Sequence, residues 1–211
     1  NIDREACEER GIKVINTPEA SASSVAELTI GLAIALLRHL YPACHSLKEG
    51  KWLKGEYTGR TVEGKTWGVI GFGSIGRRVA EIVKVLRAEV LAYDPYVPDE
   101  EFTKRGAKRA LRLEELLERS DIVSIHVNLS RETEGMISEE TLHKMKKGAY
   151  LINTSRGKII NQKALEKALE EGYLGGAALD VYEVEPPTDQ ELLCLPNLIC
   201  TPHIGGSTEE A

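Results

Sequence analysis

The stretch from Trp67 to Asp94 reads WGVIGFGSIGRRVAEIVKVLRAEVLAYD and decides the fold of the chain. It opens with a short apolar run, passes through a turn with three glycines, and then shows apolar residues at the spacing of one helical stripe. A second apolar run, residues 90–93, ends at the aspartate. Short apolar runs are typical of parallel strands buried on both faces. The stretch therefore predicts a strand, a tight turn, a helix and a second strand.

The three glycines, Gly71, Gly73 and Gly76, have different tasks in such a turn. The first permits a tight reversal, the second lets backbone N–H groups approach a pyrophosphate, and the third lets the helix pack closely on the strand. Free N–H groups and the positive end of the helix dipole then hold the anion. Asp94 lies 18 residues after Gly76, close to the ~20 expected for a carboxylate that binds an adenosine ribose. We therefore predict dinucleotide binding, with NAD favoured over NADP because the carboxylate would repel a 2′-phosphate.

Two other interpretations of this stretch stay open at this point. Glycine triplets also occur in plain structural turns. Methyltransferases that bind S-adenosylmethionine likewise place an acid after a second strand.

Composition excludes several classes of partner. The chain has 211 residues, a net charge of −6 and a pI of about 5.5, so it has no basic field to attract nucleic acid or an anionic membrane surface. Its longest apolar stretch, residues 28–37, is too short and too interrupted to span a membrane, and we expect no signal peptide. Cys7, Cys44, Cys194 and Cys200 lack C-x-x-C or zinc spacing, which predicts reduced thiols, no metal and a cytoplasmic location. Small molecules or other proteins are the expected partners.

The rest of the chain alternates predicted strands and helices. This alternation indicates an α/β protein, with a Rossmann-type doubly wound parallel sheet and helices on both faces. A long helix should begin near Val25, with serines before it as caps, and Pro42 should kink or end it. The other expected strands are residues 12–15, 121–127, 150–153, 177–181 and 198–201, and the other expected helices after the long one are residues 112–119, 138–147, 163–171 and 207–210.

Three polar residues that follow predicted strands are candidates for chemistry. Arg156 offers a planar fork suited to a carboxylate, and His203, between a proline and two glycines, suits a general acid or base. Glu185 lies in a proline-bounded loop and would hold the imidazole in one tautomer if the two side chains meet. His126 also ends a strand, where a structural histidine is favoured over a ligand. Trp52 either caps the core or anchors a subunit interface.

The motifs NTPEASASSVAEL, GKTWGVIGFGSIGRRVA, LINTSRG, GGAALDVYEVEPP and TPHIGGST occur in this order along nearly the whole chain. In these motifs the chain resembles the D-2-hydroxyacid dehydrogenases, and within them most closely the phosphoglycerate dehydrogenases. The resemblance implies an enzyme that transfers hydride between NAD and a D-2-hydroxy acid, with 3-phospho-D-glycerate as the substrate expected for a first step of serine biosynthesis.

The resemblance also implies roles for individual residues. Arg156 would bind the substrate carboxylate and carbonyl, His203 would exchange the hydroxyl proton, and Glu185 would support His203. Trp52 would contact the partner in a homodimer. Contacts to the cofactor are implied for Gly71, Gly73, Ser74, Ile75, Gly76, Asp94, Val127, Thr154, Ser155, Arg156, Asp180, His203, Gly205 and Gly206.

The chain departs from the family pattern in a few places. Asn128 replaces a usual proline, Asn161 and Gln162 replace a usual acidic pair, and Arg87 stands at a usual glycine site. The resemblance further implies that residues 1–20 are a remnant of the substrate domain, that residues 21–206 are the cofactor domain, and that residues 207–211 begin a return helix. On this basis we expect a fragment that binds NAD(H) but turns over poorly.

Alternative functions remain at this stage. Some transcriptional corepressors resemble the same family and use NAD to control assembly, and glyoxylate or hydroxypyruvate reductases share its motifs. Formate dehydrogenases are disfavoured because they lack the glutamate. Arg60 and Lys54 are the cations considered for a substrate phosphate.

Overall fold

The structure, a computed structural model, describes residues 2–15 and 19–211. Within these residues seven parallel strands form one sheet. They are β1 (Thr66–Ile70), β2 (Glu89–Tyr93), β3 (Lys108–Arg109), β4 (Ile122–Ile125), β5 (Tyr150–Asn153), β6 (Gly176–Leu179) and β7 (Leu198–Cys200). The order across the sheet is β3-β2-β1-β4-β5-β6-β7, so the winding reverses between β1 and β4. The predicted doubly wound α/β fold is confirmed, and ligands of such sheets bind beside this reversal.

Helices cover both faces of the sheet, as predicted. They are α1 (Arg4–Glu9), α2 (Ala22–Leu37), α3 (Leu40–Lys48), α4 (Ser74–Val85), α5 (Asp99–Lys104), α6 (Leu113–Arg119), α7 (Glu139–Leu142), α8 (Gln162–Glu170) and α9 (Gln190–Leu193). Residues of α2, α4 and α5 pack on one face in a buried cluster with Trp67 and Val69. Residues of α6 to α9 pack on the other face with Ile70 and Val123.

The break between α2 and α3 follows from Pro42, as expected. Proline has no N–H for the carbonyl four residues earlier, and its ring crowds that carbonyl, so it is tolerated in a first helical turn. The chain turns at His39, which has a left-handed φ of 51°, and Pro42 lies in the first turn of α3. Across the described residues no single helix has the length and hydropathy of a membrane span, although α2 and α3, bent by 64°, pass that test as a pair.

Several predicted boundaries are wrong. Residues 12–15 form no strand and are exposed, because an apolar run alone does not supply a neighbouring strand to pair with. The predicted helix over residues 138–147 is limited to α7, where Ser138 and Thr141 form a reciprocal cap. The lysines after it lie in turns and irregular backbone. Residues 207–210 form turns instead of a helix, with the N–H of Ala211 bonded to Thr208.

Other elements differ in smaller ways. The charged connection after β2 contains α5 and the two-residue edge strand β3, which the sequence did not indicate. Ser21 precedes α2, but its side chain makes no capping hydrogen bond. The predicted stop at residues 17–18 lies outside the described part of the chain. Trp52 is 78% exposed, which excludes the core-capping interpretation for this side chain.

Candidate cofactor and catalytic site

The glycine turn between β1 and α4 is built as the sequence predicts. Gly71 has φ +90°, and a Cβ there would lie 2.7 Å from the carbonyl group of His126. A Cβ on Gly76 would strike the carbonyl oxygen of Gly71, so the helix packs directly against the turn. A Cβ on Gly73 would meet no atom of the described residues within 4 Å, which leaves space beside the first turn of α4.

The N-terminus of α4 is free to bind an anion. Gly73 is the N-cap residue and supplies no side-chain cap, so the N–H groups of Ser74, Ile75 and Gly76 have no partner within the helix. These amides lie at the positive end of the helix dipole. The arrangement fits a pyrophosphate, and the space beside Gly73 admits one.

Asp94 follows β2 and faces the same turn. Its carboxylate accepts hydrogen bonds from the N–H groups of Phe72 at 2.8 Å and Tyr96 at 3.0 Å, which fix its orientation. Together with Gly71, Gly73 and Val127 it lines a cavity of about 320 Å³. These residues, predicted separately as cofactor contacts, therefore share one cavity large enough for part of a dinucleotide.

His203 and Glu185 meet on the same side of the sheet, beyond the carboxyl ends of β6 and β7. His203 Nδ1 lies 2.8 Å from Glu185 Oε2, and the other carboxylate oxygen accepts the N–H of Tyr182 at 3.1 Å. Partial burial acts to raise the pKa of Glu185, but the bonds from His203 and Tyr182 and the charge of Arg156 outweigh it and lower that pKa. An ionised carboxylate only accepts, so Nδ1 carries the proton and Nε2 is left to exchange one with a ligand.

Asp180 holds the loop that carries His203. It is 1% exposed, and its carboxylate accepts bonds from the Thr201 hydroxyl at 2.6 Å and from the N–H groups of Ile204 and Gly205 at 2.8 Å each. His203 itself has a left-handed φ of 54°. A strained backbone of this kind persists only where its surroundings enforce it. Asp180 provides that restraint on both sides of the loop.

Asn153 plays the equivalent part for the loop that carries Arg156. This fully buried side chain accepts the N–H and hydroxyl of Ser155 and donates to the carbonyl of Arg156. The guanidinium of Arg156 is exposed and bonds the carbonyl of Ser155 at 2.7 Å. Gly157 then passes so close to the backbone of Tyr182 that a Cβ would collide with it. The arginine loop and the Glu185 loop are thus in direct backbone contact.

His126 is a buried histidine that is hydrogen-bonded through one ring nitrogen. Its Nε2 pairs with the Ser124 hydroxyl at 2.9 Å, and that hydroxyl also accepts the indole N–H of Trp67. Burial lowers the pKa of His126 to about 3, so the ring is neutral. Within residues 2–15 and 19–211 its buried Nδ1 has no hydrogen-bond partner.

One group of acidic residues resembles a metal site in spacing alone. Carboxylate oxygens of Glu166, Asp189 and Glu191 lie within 4.8 Å of one another. The ammonium of Lys163 bonds Glu166 at 2.8 Å and Asp189 at 3.1 Å, and these bonds raise the lysine pKa. The group is therefore a salt-bridge cluster around a lysine.

The structure thus places the predicted residues in two groups on one edge of the sheet. The turn residues and Asp94 lie around β1 and β2, and Arg156, Asp180, Glu185 and His203 lie beyond β5, β6 and β7. Arg60 is not near either group, because its guanidinium lies beside Gly148, before β5 and hence at the opposite edge. Sequence reasoning missed Asn153 and Tyr182, whose roles depend on contacts between loops and left no local pattern.

A doubly wound sheet with an uncapped helix N-terminus at its reversal, and a hydrogen-bonded histidine–glutamate pair on the same edge, has the architecture of a dinucleotide-binding domain. The family follows from comparison with known proteins. Residues 30–205 match the family model of the D-isomer specific 2-hydroxyacid dehydrogenase NAD binding domain. The chain belongs to this family, and NAD is its cofactor.

Relatives of the chain include enzymes with different names. It is 46% identical over 211 residues to D-3-phosphoglycerate dehydrogenase of Methanocaldococcus jannaschii, matching all of this chain and 40% of that protein. It is also 46% identical to hydroxypyruvate reductase of Thermotoga maritima, over all of this chain and 69% of that protein. The chain therefore spans less than half the length of its phosphoglycerate dehydrogenase relatives.

Solved structures share the fold along nearly the whole chain. A glyoxylate reductase from Paecilomyes thermophila superimposes with a TM-score of 0.89 at 38% identity, over 99% of this chain and 63% of that one. D-lactate dehydrogenase from Aquifex aeolicus, complexed with NAD and lactic acid, gives a TM-score of 0.87 at 35% identity, over 99% of this chain and 67% of that one.

Proposed function

We propose that this chain is the cofactor domain of an NAD-dependent dehydrogenase that interconverts a D-2-hydroxy acid and the corresponding 2-oxo acid. The observation that carries the proposal is the 2.8 Å bond between His203 and Glu185, on the sheet edge that also holds the glycine turn. The match of residues 30–205 to the dehydrogenase family model excludes the methyltransferase interpretation. Bound NAD supplies the hydride acceptor, or as NADH the donor, at nicotinamide C4.

Each catalytic residue has a separate task in this proposal. Arg156 pairs with the substrate carboxylate through its planar fork and fixes the carbon that exchanges hydride. His203 gives a proton from Nε2 to the forming alkoxide, or takes it from the hydroxyl in the reverse direction. Glu185 keeps Nδ1 protonated and stabilises the imidazolium, which makes His203 the proton-exchanging group and Glu185 its support.

The cofactor contacts that the family resemblance implies are also part of this proposal. The pyrophosphate would bind at the turn, where Ser74, Ile75 and the three glycines offer N–H groups or space. The Asp94 carboxylate would accept hydrogen bonds from a ribose. Val127 lines the adjoining cavity. Thr154, Ser155, Asp180, His203, Gly205 and Gly206 would surround the nicotinamide half.

The substrate proposed is 3-phospho-D-glycerate, with hydroxypyruvate or glyoxylate as the second candidate. The first is favoured by relatives such as the Methanocaldococcus jannaschii enzyme, and the second by the equal identity to the Thermotoga maritima reductase. Arg60 does not contribute to a phosphate site, because it lies at the opposite edge of the sheet. The substrate phosphate would need cationic side chains other than Arg156 and His203.

The chain alone is expected to turn over slowly. The side chains of His203 and Glu185 are 49% and 38% exposed, and a site this open does not exclude water. We propose residues 21–206 as the cofactor domain, with residues 1–20 and 207–211 as its connections to a substrate domain. We also propose a cytoplasmic homodimer in which the exposed Trp52 meets the partner, since an exposed tryptophan is typical of an interface anchor.

The test is an activity assay on the natural protein with NAD and D-2-hydroxy acids. We expect reduction of NAD with 3-phosphoglycerate, and loss of turnover by a factor of about 10²–10⁴ in His203→Ala, with NADH affinity retained. The proposal would fail if His203→Ala retained full turnover. Oxidation of NADH by hydroxypyruvate but no reaction with 3-phosphoglycerate would assign the second candidate substrate.

A further inference from the structure

Two threonine hydroxyls from distant parts of the chain meet beneath the proposed nicotinamide half of the site. Thr29 lies on α2 and is fully buried, and Thr154 directly follows β5. Their Oγ1 atoms are 2.8 Å apart, and Thr29 Oγ1 also lies 2.8 Å from the carbonyl oxygen of Val25. Thr29 therefore connects a helix carbonyl to the loop that leads to Arg156.

The direction of this hydrogen-bond chain is fixed by counting protons. A hydroxyl has one proton to donate, and a backbone carbonyl only accepts. The contact between Thr29 and Val25 therefore uses the proton of Thr29. The contact between the two hydroxyls must then use the proton of Thr154. With its proton committed to Thr29, Thr154 has only lone pairs left for another partner.

Thr154 is placed to use those lone pairs on a ligand. It keeps 7% exposure, and within the described residues its hydroxyl has no hydrogen-bond partner besides Thr29. It lies two residues before Arg156. In the sheet, β1 and β4 separate β5 from β2, the strand that Asp94 follows. At about 4.8 Å per strand this is the far end of the cleft from the adenosine cavity.

We propose that Thr29 is a positioning residue that fixes Thr154 as a hydrogen-bond acceptor for a donor group in the nicotinamide half of the cofactor. This inference rests on the proposed NAD(H) site. The carboxamide is the N–H donor of that half, and the ribose hydroxyls are its other neutral donors. We assign the carboxamide, because Thr154 lies beside the arginine and histidine loops between which the reacting ring must sit.

The test compares variants and ligands by titration calorimetry of the chain. Thr29→Val keeps the shape of the side chain and removes its hydroxyl, whereas Thr29→Ser keeps the hydroxyl. The ligands are NADH, its 3-acetylpyridine analogue, in which a methyl group replaces the carboxamide NH₂, and ADP. In Thr29→Val the Thr154 proton has lost its acceptor and can turn toward the carboxamide NH₂, so the hydroxyl no longer presents its lone pairs to that N–H donor. We expect NADH to bind about 5- to 30-fold more weakly, with Thr29→Ser close to wild type.

The analogue and ADP provide the readout that a packing defect would not reproduce. Neither offers an N–H group to Thr154, so Thr29→Val should leave their affinities within about two-fold of wild type. A ten-fold loss shared by NADH and its analogue would overturn the assignment to the carboxamide, and a loss for ADP would reduce Thr29 to a packing role. If Thr29→Ser, which keeps the hydroxyl, bound NADH as weakly as Thr29→Val, the positioning role of Thr29 would also be overturned.

A second variant keeps the test independent of the first. Thr154→Val removes the acceptor itself, so the preference of wild type for NADH over the analogue should disappear. If wild type binds NADH and the analogue equally, the inference is wrong although the cofactor site stands. If wild type binds neither NADH nor ADP, the proposed function fails, which is a different result.

Discussion

Asp180→Asn tests whether one buried carboxylate holds the histidine loop in place. The wild-type side chain accepts three hydrogen bonds of 2.6 to 2.8 Å from Thr201, Ile204 and Gly205. In the variant an NH₂ group faces a backbone N–H, and leaving that buried donor without a partner costs about 1–3 kcal/mol. The two remaining bonds lose their charge assistance, at about 1 kcal/mol each, while removal of a buried charge offsets part of the total. We expect a net destabilisation of about 2–4 kcal/mol.

Urea denaturation followed by circular dichroism measures this change as a shift of the midpoint at constant slope. Asp94→Asn is the matched control, because its carboxylate also accepts two backbone N–H bonds on the same edge but is only half-buried. It should cost about 1 kcal/mol or less. Equal losses in the two variants, or a loss below 1 kcal/mol in Asp180→Asn, would refute the role assigned to Asp180. The His203 imidazole resonances should also change in Asp180→Asn and not in Asp94→Asn.

Three further substitutions test separate parts of the structure. Gly73→Ala adds a methyl group where no atom of the described residues lies within 4 Å, so the free energy of unfolding should change by less than about 1 kcal/mol. The methyl group would occupy the space proposed for the pyrophosphate, so NADH affinity should fall at least about ten-fold. Unchanged affinity would remove this turn from the site. Arg87 has a left-handed φ of 60°, which glycine adopts without strain. Arg87→Gly should raise the melting temperature by up to about 3 °C, because the strain relieved in the folded state exceeds the entropy gained by the unfolded chain. A lower melting temperature would contradict this. Burial depresses the pKa of His126 from 6.5 to about 3, so on acidification the unfolded chain is protonated at this residue before the folded chain is. The free energy of unfolding therefore falls as the pH drops below about 6.5, by up to about 1.4 kcal/mol per pH unit. His126→Gln should flatten this dependence between about pH 5.5 and 6.5, where unperturbed carboxylates are largely ionised, and an unaltered slope would show that other groups cause it.

The parts of the fold that were predicted correctly have local causes. The glycine turn and the break near Pro42 each depend on the chemistry of a few adjacent residues, and each appears in the structure. The resemblance to the dehydrogenase family, carried by motifs along the whole chain, was also confirmed. Local steric and hydrogen-bonding rules are sufficient at such positions because no distant partner decides them.

The errors have a common cause in contacts that the sequence does not display. Residues 12–15 look like a strand but pair with no other strand in the described part of the chain. The two polar residues of β3 form a strand because β2 offers a free edge. The same applies within the site. Thr29 and Thr154 are separated by 125 residues, and no local sequence pattern predicts that their side chains meet. Asp180 was expected as a cofactor contact, and its bonds to the histidine loop were not foreseen.

The central claim is that the turn from Gly71 to Gly76 binds the pyrophosphate of NAD(H). A crystal structure of the chain soaked with NADH tests this most directly. We predict density for the pyrophosphate against the first amides of α4, a ribose hydroxyl within hydrogen-bonding distance of Asp94, and the nicotinamide on the side of Thr154 and His203. An empty turn at saturating NADH, or a dinucleotide bound elsewhere on the sheet, would contradict the account.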